Sequence, residues 1–322
     1  MSTTSEAESR EGVPLTNLDQ ALFDGAGATK RDLVEYLDAV RDRILPVLED
    51  RPLSVIRVHR GEQPFMQKNV PKYTPPWVRR VQWWAESSKR DVSYALCNDR
   101  RTLLWFANQR AIEYHPALVR VDRPDRITHL VLDLDPPEAD AFAMAVRVAH
   151  AVRQALTDVG LSGAVKTSGA KGLHVFVPID DAASPEDSAA ATRAIARRAE
   201  QLDPDIATTA FVKADRGGKV FVDSTRVGGA TVIAAYSPRA RPGVPVSFPV
   251  AWNDLDDITP ADFTVHTAVR QLGDRDPWRE HMPEPQTLST ELIEEGHAIP
   301  VARVQAMHEG KRRAREARDA GR

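Results

Sequence analysis

From His129 to Asp135 the chain alternates with a period of two: Leu130, Leu132 and Leu134 interleave with His129, Val131, Asp133 and Asp135, and Pro136-Pro137 ends the run. This pattern predicts a β-strand whose two carboxylates share one face. A helical period follows, with Phe142, Ala145, Val148, Ala149, Val152, Leu156 and Val159 on one stripe of a helix over 139–159, ended by Gly160 and Gly163. A second helix is predicted over 184–202, with Pro185 at its start. Upstream, Thr29 caps a helix through Leu33, Tyr36, Leu37, Val40 and Ile44. Leu53 to Val58 reads as a strand in which Arg57 needs a partner, Thr102 to Asn108 as another strand-like run, and 112–116 as a loop before the Asp-x-Asp strand. After Gly217-Gly218, Lys219 to Asp223 is a further strand, on which Asp223 shares a face with Phe221. A proline-punctuated tail after Val250 leads to a last predicted helix near 300–318.

These elements suit an α+β protein with central β-sheets flanked by helices. Residues 1–12 read as a disordered lead-in, 13–300 as a single domain, and 301–322 as a basic helix or tail ending in Lys311-Arg312-Arg313. The 322 residues, 42% hydrophobic and 28% charged, can bury a substantial core. No apolar run is long enough to span a bilayer and the first ten residues are polar, so a cytoplasmic location without membrane contact is expected. The lone Cys97 excludes an internal disulfide and a cysteine zinc site. A net charge of −3 gives no global sign of nucleic-acid binding, so any such surface must come from local clustering.

Three stretches carry candidate chemistry. Asp133 and Asp135, two apart on a strand, lie roughly 6.6 Å apart along it. Their carboxylates can share a divalent ion or bridge two ions about 3.5–4 Å apart. The plain alternative is a solvated strand end. Between Lys68 and Arg90, Lys68, Lys72, Arg79, Arg80, Lys89 and Arg90 are interleaved with Tyr73, Trp77, Trp83 and Trp84, a mixture that suits single strands or frayed duplex ends. At least two of those aromatics are expected to be buried. Third, the Ser168-Gly169-Ala170-Lys171-Gly172-Leu173-His174 turn offers free backbone N–H groups, with Ser168, Lys171 and His174 as phosphate-compatible donors. Asp223 adds a third carboxylate at a strand end, Arg226 follows it, and Arg239-Ala240-Arg241-Pro242 brings two more guanidiniums. Lys30, in the first turn of its helix, opposes the helix dipole unless an anion sits there; otherwise it is a solvated surface lysine.

With these motifs in this order, the sequence resembles the polymerase domain of the bacterial end-joining ligase, within the archaeo-eukaryotic primase superfamily, and most of all the stand-alone actinobacterial forms of that domain. The resemblance runs from about Leu15 to Gly273. It implies a primase-polymerase catalytic core in which Asp133, Asp135 and Asp223 hold two catalytic ions, Mn2+ or Mg2+. It also implies that Phe65, His115, Ser168, Lys171, His174, Arg226 and Arg241 surround the incoming nucleotide, Phe65 by stacking on its base. Asn17 and Lys30 match two residues of the family's pocket for a downstream 5′-phosphate. Three positions depart from the family pattern: Met66 replaces a second aromatic, Gln20 replaces a pocket lysine, and Val227 stands where an asparagine usually follows the arginine.

The expected activity is template-dependent nucleotidyl transfer to a primer 3′-OH at short gaps or broken ends, by a monomer acting on DNA and on NTPs or dNTPs, with ribonucleotides preferred. Ku and a separate DNA ligase are candidate partners. Two other readings stay open at this point: a DNA-end-binding module without turnover, and a metal-dependent phosphatase suggested by Asp133-Leu134-Asp135. The phosphatase motif wants Thr or Val where Pro137 stands. Lys213-Ala214-Asp215 resembles the adenylated-lysine motif of DNA ligases, but the glycine and arginine that motif needs are Arg216 and Gly218 here. Self-adenylation is not expected.

Overall fold

The computed structural model describes residues 8–59, 61–85, 90–227, 231–301 and 307. The helix expected near 300–318 and the basic tail lie outside the described residues, apart from Val301 and Met307. The chain folds as two compact units, Met1–Arg126 with Ala164–Ala170 and Gly229–Met282, and Ile127–Gly163 with Lys171–Gly228 and Pro283–Arg322.

The first unit opens with β1 (Ser9–Arg10) and β2 (Val13–Pro14), an antiparallel hairpin whose first strand falls within residues 1–12, the stretch expected to be a disordered lead-in. Helix α1 (Lys30–Ala39) starts at Thr29, whose hydroxyl accepts from the Asp32 N–H while Asp32 accepts from the Thr29 N–H, a reciprocal cap. Then come α2 (Arg41–Leu48), β3 (Leu53–Arg57), β4 (Phe65–Gln67), β5 (Arg80–Ala85), β6 (Arg90–Ala95), α3 (Arg100–Asn108) and β7 (Ala111–Pro116). The structure departs from expectation at two places. The run from Thr102 to Asn108 belongs to α3, because Asp99 caps it by accepting from the Thr102 N–H at 2.7 Å; six consecutive residues are buried, so no polar stripe marks the helical period. The expected loop at 112–116 is β7, which runs antiparallel to β3 from Leu53↔Pro116 to Arg57↔Ala111.

The second unit is built on β8 (His129–Asp135), followed by α4 (Phe142–Thr157). The chain returns to the first unit for β9 (Ala164–Thr167), and the second unit resumes with β10 (Leu173–Pro178), α5 (Pro185–Leu202), β11 (Ala207–Thr208) and β12 (Val220–Asp223). β13 (Pro249–Val250), paired with β9, and the short helices α6 (Ala268–Leu272) and α7 (Pro277–His281) complete the first unit; α8 (Thr290–Ala298) belongs to the second. Within the second unit the strand order is β11-β12-β8-β10, with β8 central and antiparallel to both neighbours. α4 and α5 pack against β8 and against each other, and residues 130–134 of the strand are all buried.

Two glycines of the Ser-Gly-x-x-Gly turn are required by close approach. A Cβ on Gly169, which has φ +66°, would lie 2.7 Å from Arg239 Cγ and 2.9 Å from the Ser247 nitrogen; one on Gly172 would lie 2.0 Å from the Leu134 carbonyl oxygen.

Candidate active site

In the second unit, strand register brings three chemistries into one row. Asp133 on β8 stands opposite Asp223 on β12 and opposite His174 on β10, and directly paired residues share a face. Asp135, two residues along, lies on the same face. Asp133 is buried, with His174 Nε2 3.2 Å from its Oδ1. The Arg226 guanidinium, in the single turn Thr225–Val227 after β12, donates to Asp133 Oδ2 through Nε at 3.1 Å and lies 2.8 Å from it through a terminal nitrogen. The same guanidinium is 3.3 Å from Asp223 Oδ2, while Asp223 Oδ1 accepts from the Thr225 N–H at 2.8 Å and hydroxyl at 2.6 Å.

The charges divide these acids. Burial acts to raise the Asp133 carboxyl, but His174 and Arg226 outweigh it and hold the group well below the usual carboxylate range. Asp135 goes the other way, pushed up by burial first and then by the charge of Asp133, with Lys171 and Arg226 compensating only in part. Lys171 Nζ donates to the carbonyls of Pro136 at 2.5 Å and Pro137 at 3.3 Å, the residues that follow Asp135. A cavity of about 180 Å³ opens there, walled by Asp135, the two prolines, Lys171, Lys213, Arg216 and Lys219. Among the described residues no three His, Cys, Asp or Glu side chains stand in a ready metal-binding arrangement, since Asp133 spends its oxygens on His174 and Arg226.

The first unit holds the other predicted residues. His115 on β7 has Nε2 2.9 Å from Glu113 Oε2. Ser168 is buried, and its carbonyl accepts from Arg239 at 2.7 Å. Arg241, the guanidinium favoured by the sequence reading, is exposed and donates its backbone N–H to the Arg239 carbonyl at 2.9 Å. Phe65 begins β4, tilted against His59 with ring centroids 5.0 Å apart, and the Arg57 guanidinium lies 5.9 Å from its ring. Arg57 has the partners its position demanded: it donates to the Gln109 carbonyl, to Gln67 and to the Tyr73 hydroxyl. Met66 is 46% exposed.

Lys30 is not the solvated residue of the plain reading. It is only 3% exposed and its Nζ donates to the Thr16 carbonyl at 2.5 Å; burial, with a smaller contribution from Arg110, lowers its pKa to about 8. Asn17 is exposed at φ +54°. Gln20 accepts from Arg110, which also donates to the Ala21 and Leu22 carbonyls. The expectation that at least two of Tyr73, Trp77, Trp83 and Trp84 are buried is wrong: Tyr73 is 60% and Trp84 58% exposed, the other two are half-buried, and Arg101 stacks 4.1 Å over Trp77. Lys89 and Glu86 lie outside the described residues.

Residues 29–278 match the family model of the LigD primase-polymerase domain. The chain belongs to that family. It is 36% identical over 276 residues to the multifunctional non-homologous end joining DNA repair protein LigD of Mycobacterium tuberculosis, covering 82% of this chain and 35% of the relative. It is 33% identical over 265 residues to the bifunctional non-homologous end joining protein LigD of Bacillus subtilis, covering 81% and 42%. This LigD-family domain therefore spans roughly a third to two-fifths of the relatives' length. The polymerase domain of Mycobacterium tuberculosis ligase D, solved in complex with DNA, superposes with a TM-score of 0.77 at 34% identity, over 84% of this chain and 97% of that one. The α+β expectation agrees with that fold, and the family is one of nucleotidyltransferases.

Sequence reading missed two residues of the first unit, Glu113 and Arg239. Glu113 shares a strand face with His115, a signal hidden once 112–116 was read as loop; Arg239 is the first member of the Arg-x-Arg pair whose second member was chosen.

Proposed function

We propose that this LigD-family domain adds nucleotides to a primer 3′-OH at short gaps or broken DNA ends, with two divalent ions held by Asp133, Asp135 and Asp223. The observation that carries the reading is the row of buried carboxylates in register on β8 and β12, with Arg226 and Lys171 beside it. The donor set fits magnesium or manganese, being all hard oxygen. The raised Asp135 also fits, because crowded negative charge on one strand face favours a cation. Bound ions would lower the pKa of the 3′-OH and neutralise the triphosphate. Arg226 stands between two carboxylates, so in this reading it exchanges Asp133 for a phosphate of the nucleotide. In the second unit Lys171 and His174 would contribute donors to the triphosphate; in the first, Phe65 would stack on a nucleotide base, with His115, Ser168 and Arg241 as further nucleotide contacts.

Exposed Tyr73 and Trp84 on a segment with Lys72, Arg79 and Arg80 support single-strand or frayed-end binding, by stacking and phosphate neutralisation. Lys30 and Asn17 would take the downstream 5′-phosphate. Ribonucleotides are used at least as well as deoxyribonucleotides, manganese supports more activity than magnesium, and Ku and a separate ligase are the partners to test. The domain works as a monomer. The deciding experiment is primer extension on a gapped duplex with each metal and each sugar, for the wild type and Asp135→Ala. Extension that is metal-dependent and lost in the variant supports the reading; full extension by the variant rejects it.

A further inference from the structure

Glu113 is a buried acid that the three-carboxylate chemistry does not use. On β7 it stands two residues before His115, on the same face, and every strong contact of its carboxylate leads toward a residue assigned to the nucleotide. Oε2 lies 2.9 Å from His115 Nε2. Oε1 accepts from the Ala240 N–H at 2.9 Å and faces Arg239 Nε at 3.2 Å, an ion pair too bent to be a hydrogen bond. Arg239 in turn donates to the Ser168 carbonyl at 2.7 Å, and its own carbonyl accepts from the Arg241 N–H at 2.9 Å. One carboxylate thus joins the histidine, the serine turn and the Arg239–Arg241 segment. Burial acts to raise its carboxyl, but the His115 contact, the Arg239 charge and the Ala240 N–H hold it at about 2, so it is an anion at any working pH.

We infer that Glu113 is a positioning residue for nucleotide binding: it fixes the His115 ring with its proton on Nε2, leaving Nδ1 as the nitrogen available to the nucleotide. A carboxylate that accepts from one ring nitrogen sets the tautomer presented by the other. The inference rests on the assignment of His115 to the nucleotide. It differs from a purely structural role because Glu113→Gln keeps the shape and can still accept from Ala240, yet turns an amide N–H toward His115 and so removes the acceptor that fixes the ring.

The test compares Glu113→Gln, His115→Ala and the double variant in single-nucleotide addition to a gapped primer, with melting temperature and gapped-DNA affinity measured alongside. The expected result is a KM for the nucleotide raised about tenfold in Glu113→Gln, with kcat and DNA affinity close to wild type and the variant still folded at the assay temperature although its melting temperature falls with the lost charge. The double variant should show a KM no higher than His115→Ala alone, because in this role Glu113 acts on the nucleotide only through His115. A wild-type KM in Glu113→Gln beside a raised KM in His115→Ala overturns the role of Glu113 and leaves the site assignment standing. A wild-type KM in His115→Ala overturns the assignment itself. Effects that multiply in the double variant show that Glu113 acts elsewhere and also overturn the inference. Nitrogen NMR of the wild-type histidine rings needs no variant to fold: a His115 Nε2 without a proton would contradict it directly.

Discussion

Two buried acids, Asp133 in the second unit and Glu113 in the first, have nearly the same immediate company. Each faces a histidine Nε2, at 3.2 and 2.9 Å, and each has an arginine against its other oxygen. What differs is the next ring of charge. Asp133 shares its face with Asp135 and Asp223, and at Asp135 burial first and then the charge of Asp133 raise the carboxyl beyond what Lys171 and Arg226 offset. Around Glu113 the histidine and the arginine meet a single acid. A buried carboxylate whose charge is balanced locally organises its neighbours; one in a crowd of its own kind calls for an additional cation.

The comparison breaks first at the metal ligands. Asp133→Ala or Asp135→Ala should lower single-nucleotide addition by about a thousandfold or more, since a bound metal supplies several kcal/mol of transition-state stabilisation. Gapped-DNA affinity should change little, because phosphate contacts come from the basic surface. Extension near wild-type rates would place Asp133 with Glu113 as an organiser rather than a ligand.

Lys30 extends the comparison to a buried charge whose neighbours are a carbonyl and another cation. A downstream 5′-phosphate should tighten gap binding in the wild type, and that gain should fade as the pH rises through about 8, where Lys30 loses its proton. Gln20→Lys should strengthen the gain by about fivefold to tenfold and steepen its salt dependence, with little change on an unphosphorylated gap. Equal shifts on both gaps would move the phosphate pocket away from Lys30.

The acid limb of stability reads the Glu113 charge pairing directly. Its folded carboxyl sits near 2 against the usual 4.5, so the stability it contributes is complete above about pH 4.5 and is lost as the pH falls toward about 2. In urea unfolding followed against pH, Glu113→Gln should flatten the decline over that window. An unchanged slope would mean that the Glu113 charge is not paired in solution.

The smallest effect has the opposite sign. Asp135→Asn removes a carboxylate disfavoured first by burial and then by the charge of Asp133, so it should raise the melting temperature by roughly 1–2 °C, a modest figure because the side chain is partly exposed. Stability gained where activity is lost would mark the charge crowding as kept for function.

The legibility of these regions follows from how plainly each pattern appears in sequence. The carboxylate strand was readable because two acids alternate with leucines, and α4 and α5 because polar residues interrupt their apolar stripes. α3 was misread as a strand because Thr102 to Ala107 are all buried, leaving only the Asp99 cap as a helical sign. Reading β7 as loop concealed Glu113, although its two-residue spacing to His115 was visible. No local pattern could reveal that Lys30 is covered or that Tyr73 and Trp84 are not, since those outcomes depend on chain segments remote in sequence.

The helix α8 sets a practical limit on where this domain can be cut. Gly296 meets α5 backbone to backbone, where a Cβ would lie 1.9 Å from the Ala190 carbonyl oxygen, and Glu295 and His297 pair with Arg198 and Asp187. The family match stops at residue 278, yet a chain trimmed there would bare the alanine-lined face of α5 and leave Arg198 without its acid. The smallest piece that keeps α5 covered extends at least to Ala298, twenty residues past the end of the family-model match.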